Sequence, residues 1–169
     1  MAHKIFLFGL DNAGKTALCS FIKDESNLKT KPTLMFNIDN LILKDIEFQV
    51  WDAPGQVQLR AMWNKNLGKS KILLFVLDTA DVERFNEAKK ELNKVLDDFE
   101  TRNVSLVFCF HKMDLDKAQN NLKKAIDVFN LSSIQEREVH KLETTIKESE
   151  GIERLKNKLV EIIEKERWG

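Results

Sequence analysis

The chain is poor in residues that interrupt or staple a fold. Two prolines and six glycines occur in 169 residues, so the position of each carries information. The two cysteines, Cys19 and Cys109, show neither the spacing of a metal site nor the density of a disulfide framework. They read as small core residues in a reducing compartment. No apolar run reaches the roughly 20 residues that a membrane-spanning helix needs. The strongest, residues 72–77, has the length of a strand. His3 and Lys4 lead straight into an apolar stretch, which argues against a signal peptide. Ala2 stands where N-myristoylation needs glycine, and the terminal Glu166-Arg167-Trp168-Gly169 has no cysteine to prenylate. Excess charge is lacking too: 27 basic residues balance 27 acidic ones. That argues against a general nucleic-acid binder. The expectation is a cytoplasmic chain with no intrinsic membrane anchor, forming one domain over residues 1–169.

Two of the scarce glycines bracket the most informative stretch. Gly9-Leu10-Asp11-Asn12-Ala13-Gly14-Lys15-Thr16 reads G-x-x-x-x-G-K-T, the P-loop pattern. Residues 4–8 before it suit a buried strand, and residues 17–23 after it suit a helix, which is the context the motif requires. Gly9 and Gly14 let backbone N–H groups close round a phosphate, and the helix N-terminus adds partial positive charge. Asp11, Asn12, Ala13, Gly14 and Ala17 line such a loop. Lys15 reaches the β- and γ-phosphates, and the Thr16 hydroxyl is placed to ligate Mg²⁺.

Further along, residues 24–31 are polar and read as a loop. Residues 38–43 and 46–51 form two strands joined at Lys44-Asp45, an antiparallel hairpin. In the second, Ile46, Phe48 and Val50 face one way and Glu47 and Gln49 the other. Residues 57–67 suit a short irregular helix and residues 72–77 a strand buried on both faces. A helix is predicted over 82–100 from the three- and four-residue spacing of Phe85, Ala88, Leu92, Val95, Leu96 and Phe99. A strand follows over 106–110, a helix over 119–129, a strand over 139–143 and a last helix over 152–167. Alternating strands and helices predict an α/β fold of the P-loop NTPase type. It has a mostly parallel six-stranded sheet, one antiparallel strand, and helices on both faces.

Ligands of such sheets bind beyond the carboxyl ends of the strands, and further candidate residues fall there. Thr33 can close over a γ-phosphate and complete the Mg²⁺ shell. Asp52-x-x-Gly55-Gln56 follows a strand. Asp52 holds Mg²⁺ through water, Gly55 offers its N–H to the γ-phosphate, and Gln56 orients an attacking water, so that Lys15, Thr33 and Gln56 form the catalytic set. In His111-Lys112-Met113-Asp114, one carboxylate, Asp114, accepts both donors of the guanine Watson–Crick edge, a pair that adenine lacks. Lys112 can lay its stem along the base and bind the P-loop. At Thr144-Thr145-Ile146 a backbone N–H, that of Thr145, can donate to guanine O6. Arg60, four residues after Gln56, reads as a helix surface charge, and no arginine sits at an evident finger position.

These stretches, in this order, resemble the small Ras-like GTPases over nearly the whole chain. GLDNAGKT, PTLMFNI, WDAPGQ with RAMW after it, and DTADVERFNEAKKEL are similar to the Arf and Arf-like branch. HKMD and the later TTI instead resemble the Rag branch, in which histidine replaces the usual asparagine. The resemblance implies a GTP/GDP switch with Mg²⁺, working with activating and exchange proteins. It also implies an apolar effector patch at Phe36 and Trp51, with Asn66 where Arf proteins carry a tyrosine. Dimerisation is left open, and any membrane association is peripheral, through partners. Departures are His111 for asparagine, Pro54 and Met35 for glycines, and no amphipathic N-terminal helix. Pro54, beside Gln56, keeps an alternative in view: a guanine-nucleotide-binding interaction module with little or no hydrolysis. A small P-loop nucleotide kinase is a third class, disfavoured because nothing reads as a basic lid.

Overall fold

The computed structural model describes residues 1–24 and 35–169. Strand β1 (His3–Phe8) runs into the P-loop and helix α1 (Lys15–Ile22). Strands β2 (Asn37–Leu43) and β3 (Ile46–Asp52) form the expected hairpin. Its two turn residues, Lys44 and Asp45, have φ of 46° and 65°, the left-handed pair whose twist matches that of antiparallel strands. Two 3₁₀ segments, Val57–Met62 and Asn64–Asn66, occupy the stretch read as an irregular helix. Strand β4 (Ser70–Asp78) leads to helix α2 (Phe85–Leu96), and β5 (Ser105–His111) to α3 (Asp116–Phe129). Strand β6 (Val139–Glu143) and helix α4 (Ser149–Trp168) complete the order.

The helix predicted over 82–100 is three pieces. Val82–Arg84 is a 3₁₀ turn, α2 ends at Leu96, and Phe99–Thr101 is a second 3₁₀ turn. Asp97 and Asp98 explain the stop: acidic side chains oppose the negative end of a helix. Asp98 instead caps the following turn, accepting from the Glu100 amide at 2.9 Å. Phe99, assigned by periodicity to the apolar face, is exposed.

The sheet order is β2-β3-β1-β4-β5-β6, with β2–β3 antiparallel and every other pair parallel. This is the six-stranded α/β sheet that the sequence predicts. Alternation sends the two sets of side chains to two cores. Ile5, Leu7, Ile72, Leu74, Val76, Val107 and Cys109 pack with α1 and α4. Phe6, Phe8, Leu73, Phe75, Leu106, Phe108 and Phe110 pack with α2 and α3. Both cysteines are buried, and burial pushes the Cys109 thiol up to about 12. Among the described residues no helix is long and apolar enough to cross a membrane. The architecture brings the ends of β1, β3, β4 and β5 to one rim, and there the motif residues meet.

Candidate nucleotide site

The P-loop turns out of β1 with Asn12 and Gly14 at φ of 62° and 97°. Glycine is required at position 14 twice over. The backbone is left-handed, and a Cβ there would lie 2.8 Å from Cδ2 of the His111 ring. Helix α1 opens at Lys15, so its first N–H groups face the loop. Lys15 is 6% exposed and donates from Nζ to the Leu10 carbonyl at 2.9 Å. Burial pushes its ammonium down to about 8, against the opposing pull of Asp52 and Asp11.

Beside it the Thr16 hydroxyl donates to Asp52 Oδ2 at 2.8 Å. The second carboxylate oxygen, Oδ1, is buried without a well-formed hydrogen bond among the described residues. Burial raises the Asp52 carboxyl above its usual range, while the Thr16 hydroxyl and Lys15 hold it back. A hydroxyl and a carboxylate with an unmatched buried oxygen suit a hard divalent cation. No group of three His, Cys, Asp or Glu among the described residues could hold a metal alone. The pair therefore fits Mg²⁺ that is also held by phosphate oxygens and water, which is how that ion is usually bound.

The turn after β3 is fastened residue by residue. The Ala53 amide donates to the Leu7 carbonyl at 2.9 Å, and the Trp63 indole N–H to the Pro54 carbonyl at 2.8 Å. The Gly55 carbonyl accepts from the Asp11 amide at 3.1 Å and from Arg60 Nε at 2.7 Å. A Cβ on Gly55 would lie 2.5 Å from the Asp11 nitrogen and 2.6 Å from Lys15 Nζ, so only glycine fits against the P-loop. Gln56 follows in extended conformation, half-buried.

Arg60 is not the surface charge expected from its spacing. It is 5% exposed and pairs with Asp11 at 3.2 Å and Glu87 at 2.9 Å. Arg84 joins both acids, reaching Asp11 at 2.7 Å and Glu87 at 3.1 Å. The Arg84 hydrogen bond holds the Asp11 carboxyl below its usual range, and the same arginine does so for Glu87. The Asp11 side chain thus serves these arginines, and a phosphate would meet the loop's backbone. Arg84 and Glu87 escape sequence reasoning. The available signal was Asp11 itself: a carboxylate inside an anion-binding loop needs cations to hold it aside.

The residues expected to read the base sit on the adjacent rim. Lys112 donates to the Asn12 carbonyl at 2.7 Å and to Asp78 at 2.7 Å. Asp114 is exposed and accepts from the Thr145 hydroxyl at 2.6 Å. Thr145 is buried and Ile146 half-buried, both just beyond β6. His111 shares one hydrogen bond of 2.8 Å with the Thr144 hydroxyl through Nδ1. Burial, aided by the Lys112 charge, pushes its imidazole down to about 4, so the ring is neutral at pH 7. Phe36 is half-buried, its ring centroid 5.9 Å from Trp51 and 5.8 Å from Phe6. Thr33 lies outside the described residues.

A P-loop entering a helix beside a threonine–aspartate pair, with a lysine–aspartate base motif after the fifth strand, defines a P-loop NTPase of the G-domain class. Comparison with known proteins agrees. The model of the ADP-ribosylation factor family (Arf) matches residues 1–163. ADP-ribosylation factor K of Dictyostelium discoideum is 31% identical over 149 residues, covering 88% of this chain and 79% of that protein. The fold is also that of the Arl6 BBS3 small GTPase of Trypanosoma brucei, solved with the nucleotide analogue GppNp. Its TM-score is 0.85 at 21% identity, covering 95% of this chain and 96% of that one. The chain belongs to the ADP-ribosylation factor family of small GTPases. The Rag likeness expected of His111-Lys112-Met113-Asp114 is no part of that assignment.

Proposed function

We propose that residues 1–169 form one G domain that binds GTP and GDP with Mg²⁺ and hydrolyses GTP slowly, as a switch. The observation that carries this reading is the bond from Lys112 to the Asn12 carbonyl, which joins a guanine-selecting loop to a phosphate loop in one continuous site. Asp114 accepts the two guanine donors, with the Thr145 and Ile146 backbone near O6. His111, neutral, supports Gly14 from beneath. The P-loop amides from Asn12 to Ala17 cradle the phosphates, the Asp11 amide being taken by the Gly55 carbonyl, and Lys15 balances their charge. Thr16 and Asp52, with Thr33, hold Mg²⁺, which when bound neutralises charge on the phosphate oxygens. Gly55 offers its N–H to the γ-phosphate, and Gln56 orients the water.

Turnover unassisted would be on the order of 10⁻⁴ s⁻¹, as for other Ras-like domains. The Arg60 and Arg84 guanidiniums are both engaged within the molecule. Faster turnover therefore calls for an activating protein that brings its own arginine, and reloading calls for an exchange protein. Phe36 and Trp51 are the proposed effector contact. Pro54, which removes an N–H beside Gln56, supports a second reading, a binding module with little hydrolysis. Chromatography of the nucleotide released from purified protein, followed by phosphate release from GTP-loaded protein and its Gln56→Leu variant, tests both. Guanine nucleotide with Gln56-dependent phosphate release supports the switch. Stable bound GTP supports the module, and adenine nucleotide or none refutes both.

A further inference from the structure

Two arginines and two acids form a closed ring at the edge of the phosphate loop. Asp11 comes from the P-loop, Arg60 from the 3₁₀ segment after Gln56, and Arg84 and Glu87 from the start of α2. Each acid is bridged by both arginines. Arg60 spends each guanidinium nitrogen on a different acceptor: Nε on the Gly55 carbonyl, Nη2 on Asp11 and Nη1 on Glu87. A cation this deeply buried has few alternative sites, because leaving its partners would strand it unpaired. The ring therefore fixes the position of Arg60, and Arg60 fixes the Gly55 carbonyl.

That carbonyl is half of a planar unit. The Gly55 C=O and the Gln56 N–H share one rigid peptide plane. The Asp11 amide and Arg60 Nε hold the oxygen from two directions, at 3.1 and 2.7 Å. With the plane set, the direction in which Gln56 leaves the backbone is set as well. Pro54 and Ala53, the two preceding residues, are held by Trp63 and Leu7. Arg60 is thus the last fastener before the glutamine.

Resting on the hydrolytic reading above, we propose that Arg60 is a positioning residue for GTP hydrolysis, locking the Gly55–Gln56 peptide plane to the P-loop through the Asp11–Arg84–Glu87 ring. It acts through Gln56 and makes no contact with the reacting atoms. Two properties follow. Loss of Arg60 slows hydrolysis without a matching loss of nucleotide, and it costs nothing further once Gln56 is gone.

The test is single-turnover hydrolysis of preloaded GTP, with GTP dissociation measured in parallel. The proteins are the unaltered chain, Arg60→Ala, Gln56→Leu and the double variant. Arg60→Ala is expected to hydrolyse at least tenfold more slowly, with dissociation changed less than threefold. The double variant should match Gln56→Leu within twofold, and the Gln56 amide should exchange faster with solvent in Arg60→Ala. Glu87→Gln, which loosens the ring from its exposed side, repeats the test in a smaller dose if Arg60→Ala folds poorly, with a hydrolytic loss of twofold or more expected. Unaltered hydrolysis in both Arg60→Ala and Glu87→Gln, or a further tenfold loss in the double variant, overturns the proposal while leaving the GTPase reading intact. An unaltered chain that holds GTP without cleaving it overturns the hydrolytic reading and this role with it.

Discussion

Lys15 is expected to weaken the nucleotide-free fold that it equips for binding. Its depression from 10.5 to about 8 is worth roughly 3 kcal/mol at about 1.4 kcal/mol per pH unit. The lysine also donates to the Leu10 carbonyl, and leaving that buried acceptor unmatched costs about 1–2 kcal/mol. Lys15→Met keeps the length and packing and removes the charge. It should therefore stabilise the nucleotide-free protein by about 1–2 kcal/mol, a rise of roughly 2–4 °C in melting temperature per kcal/mol for a chain of this size. The pH dependence identifies the cause. The folded value lies below the unfolded one, so the penalty on the unaltered protein is complete below about pH 8. It fades as pH rises from there through 10.5, where the unfolded lysine also loses its proton. The gain from Lys15→Met should shrink over that window. Nucleotide affinity should fall on the order of 10²–10⁴-fold, for the loss of charge-assisted bonds of about 1.5–3 kcal/mol each. Thermal melts of both nucleotide-free proteins at pH 7 and pH 10, with titration calorimetry for GDP, measure these quantities. A variant less stable than the parent at pH 7, or a gain independent of pH, would refute the reasoning.

Asp114→Asn should weaken GTP and gain xanthosine triphosphate, because donor and acceptor are exchanged at the base edge; equal binding of ATP and GTP by the unaltered protein would count against this. The β2–β3 hairpin should stay in register between GDP and GTP-analogue complexes. Lys4 pins it by lying 4.0 Å over the Trp51 ring while donating to the Gly68 carbonyl at 3.0 Å. Pro54 restricts the pivot, and any slip must be even to keep Ile46, Phe48 and Val50 inside. Crystal structures of the two complexes showing a two-residue shift would contradict it. Phe36→Ala with Trp51→Ala should leave GTP affinity within about threefold and abolish GTP-dependent partner capture; capture that persists at full strength would remove these rings from the effector contact.

Where local rules suffice, the sequence is a good guide. G-x-x-x-x-G-K-T carries its strand, loop and helix with it, and the alternation of Ile46, Phe48 and Val50 anticipates their burial. Even the weakly patterned residues 139–143 pair with β5 as the order of elements requires. Local rules fail where distance in sequence hides proximity. Arg60 and Glu87 are 27 residues apart and Arg84 and Asp11 are 73 apart, so no periodicity exposes their ring. At 82–100 the period is real through Leu96, and Phe99 continues it by coincidence after the chain has turned at Asp97-Asp98.

The two faces of the sheet are made of different material, and that has a bearing on how the protein tolerates change. The face under α1 and α4 is largely aliphatic. The face under α2 and α3 is a chain of phenylalanine rings, with Phe8–Phe75, Phe75–Phe108 and Phe108–Phe129 centroids 5.1, 5.2 and 4.9 Å apart. Aliphatic side chains interchange at modest cost, usually under about 1.5 kcal/mol when volume is kept. A tilted ring has no isosteric substitute, and losing one leaves a gap beside its neighbours in the chain. Genetic drift can therefore rework the layer behind the phosphate loop with little penalty. The aromatic layer, on which the turn carrying Gln56 rests through Trp63, is the brittle half of the molecule.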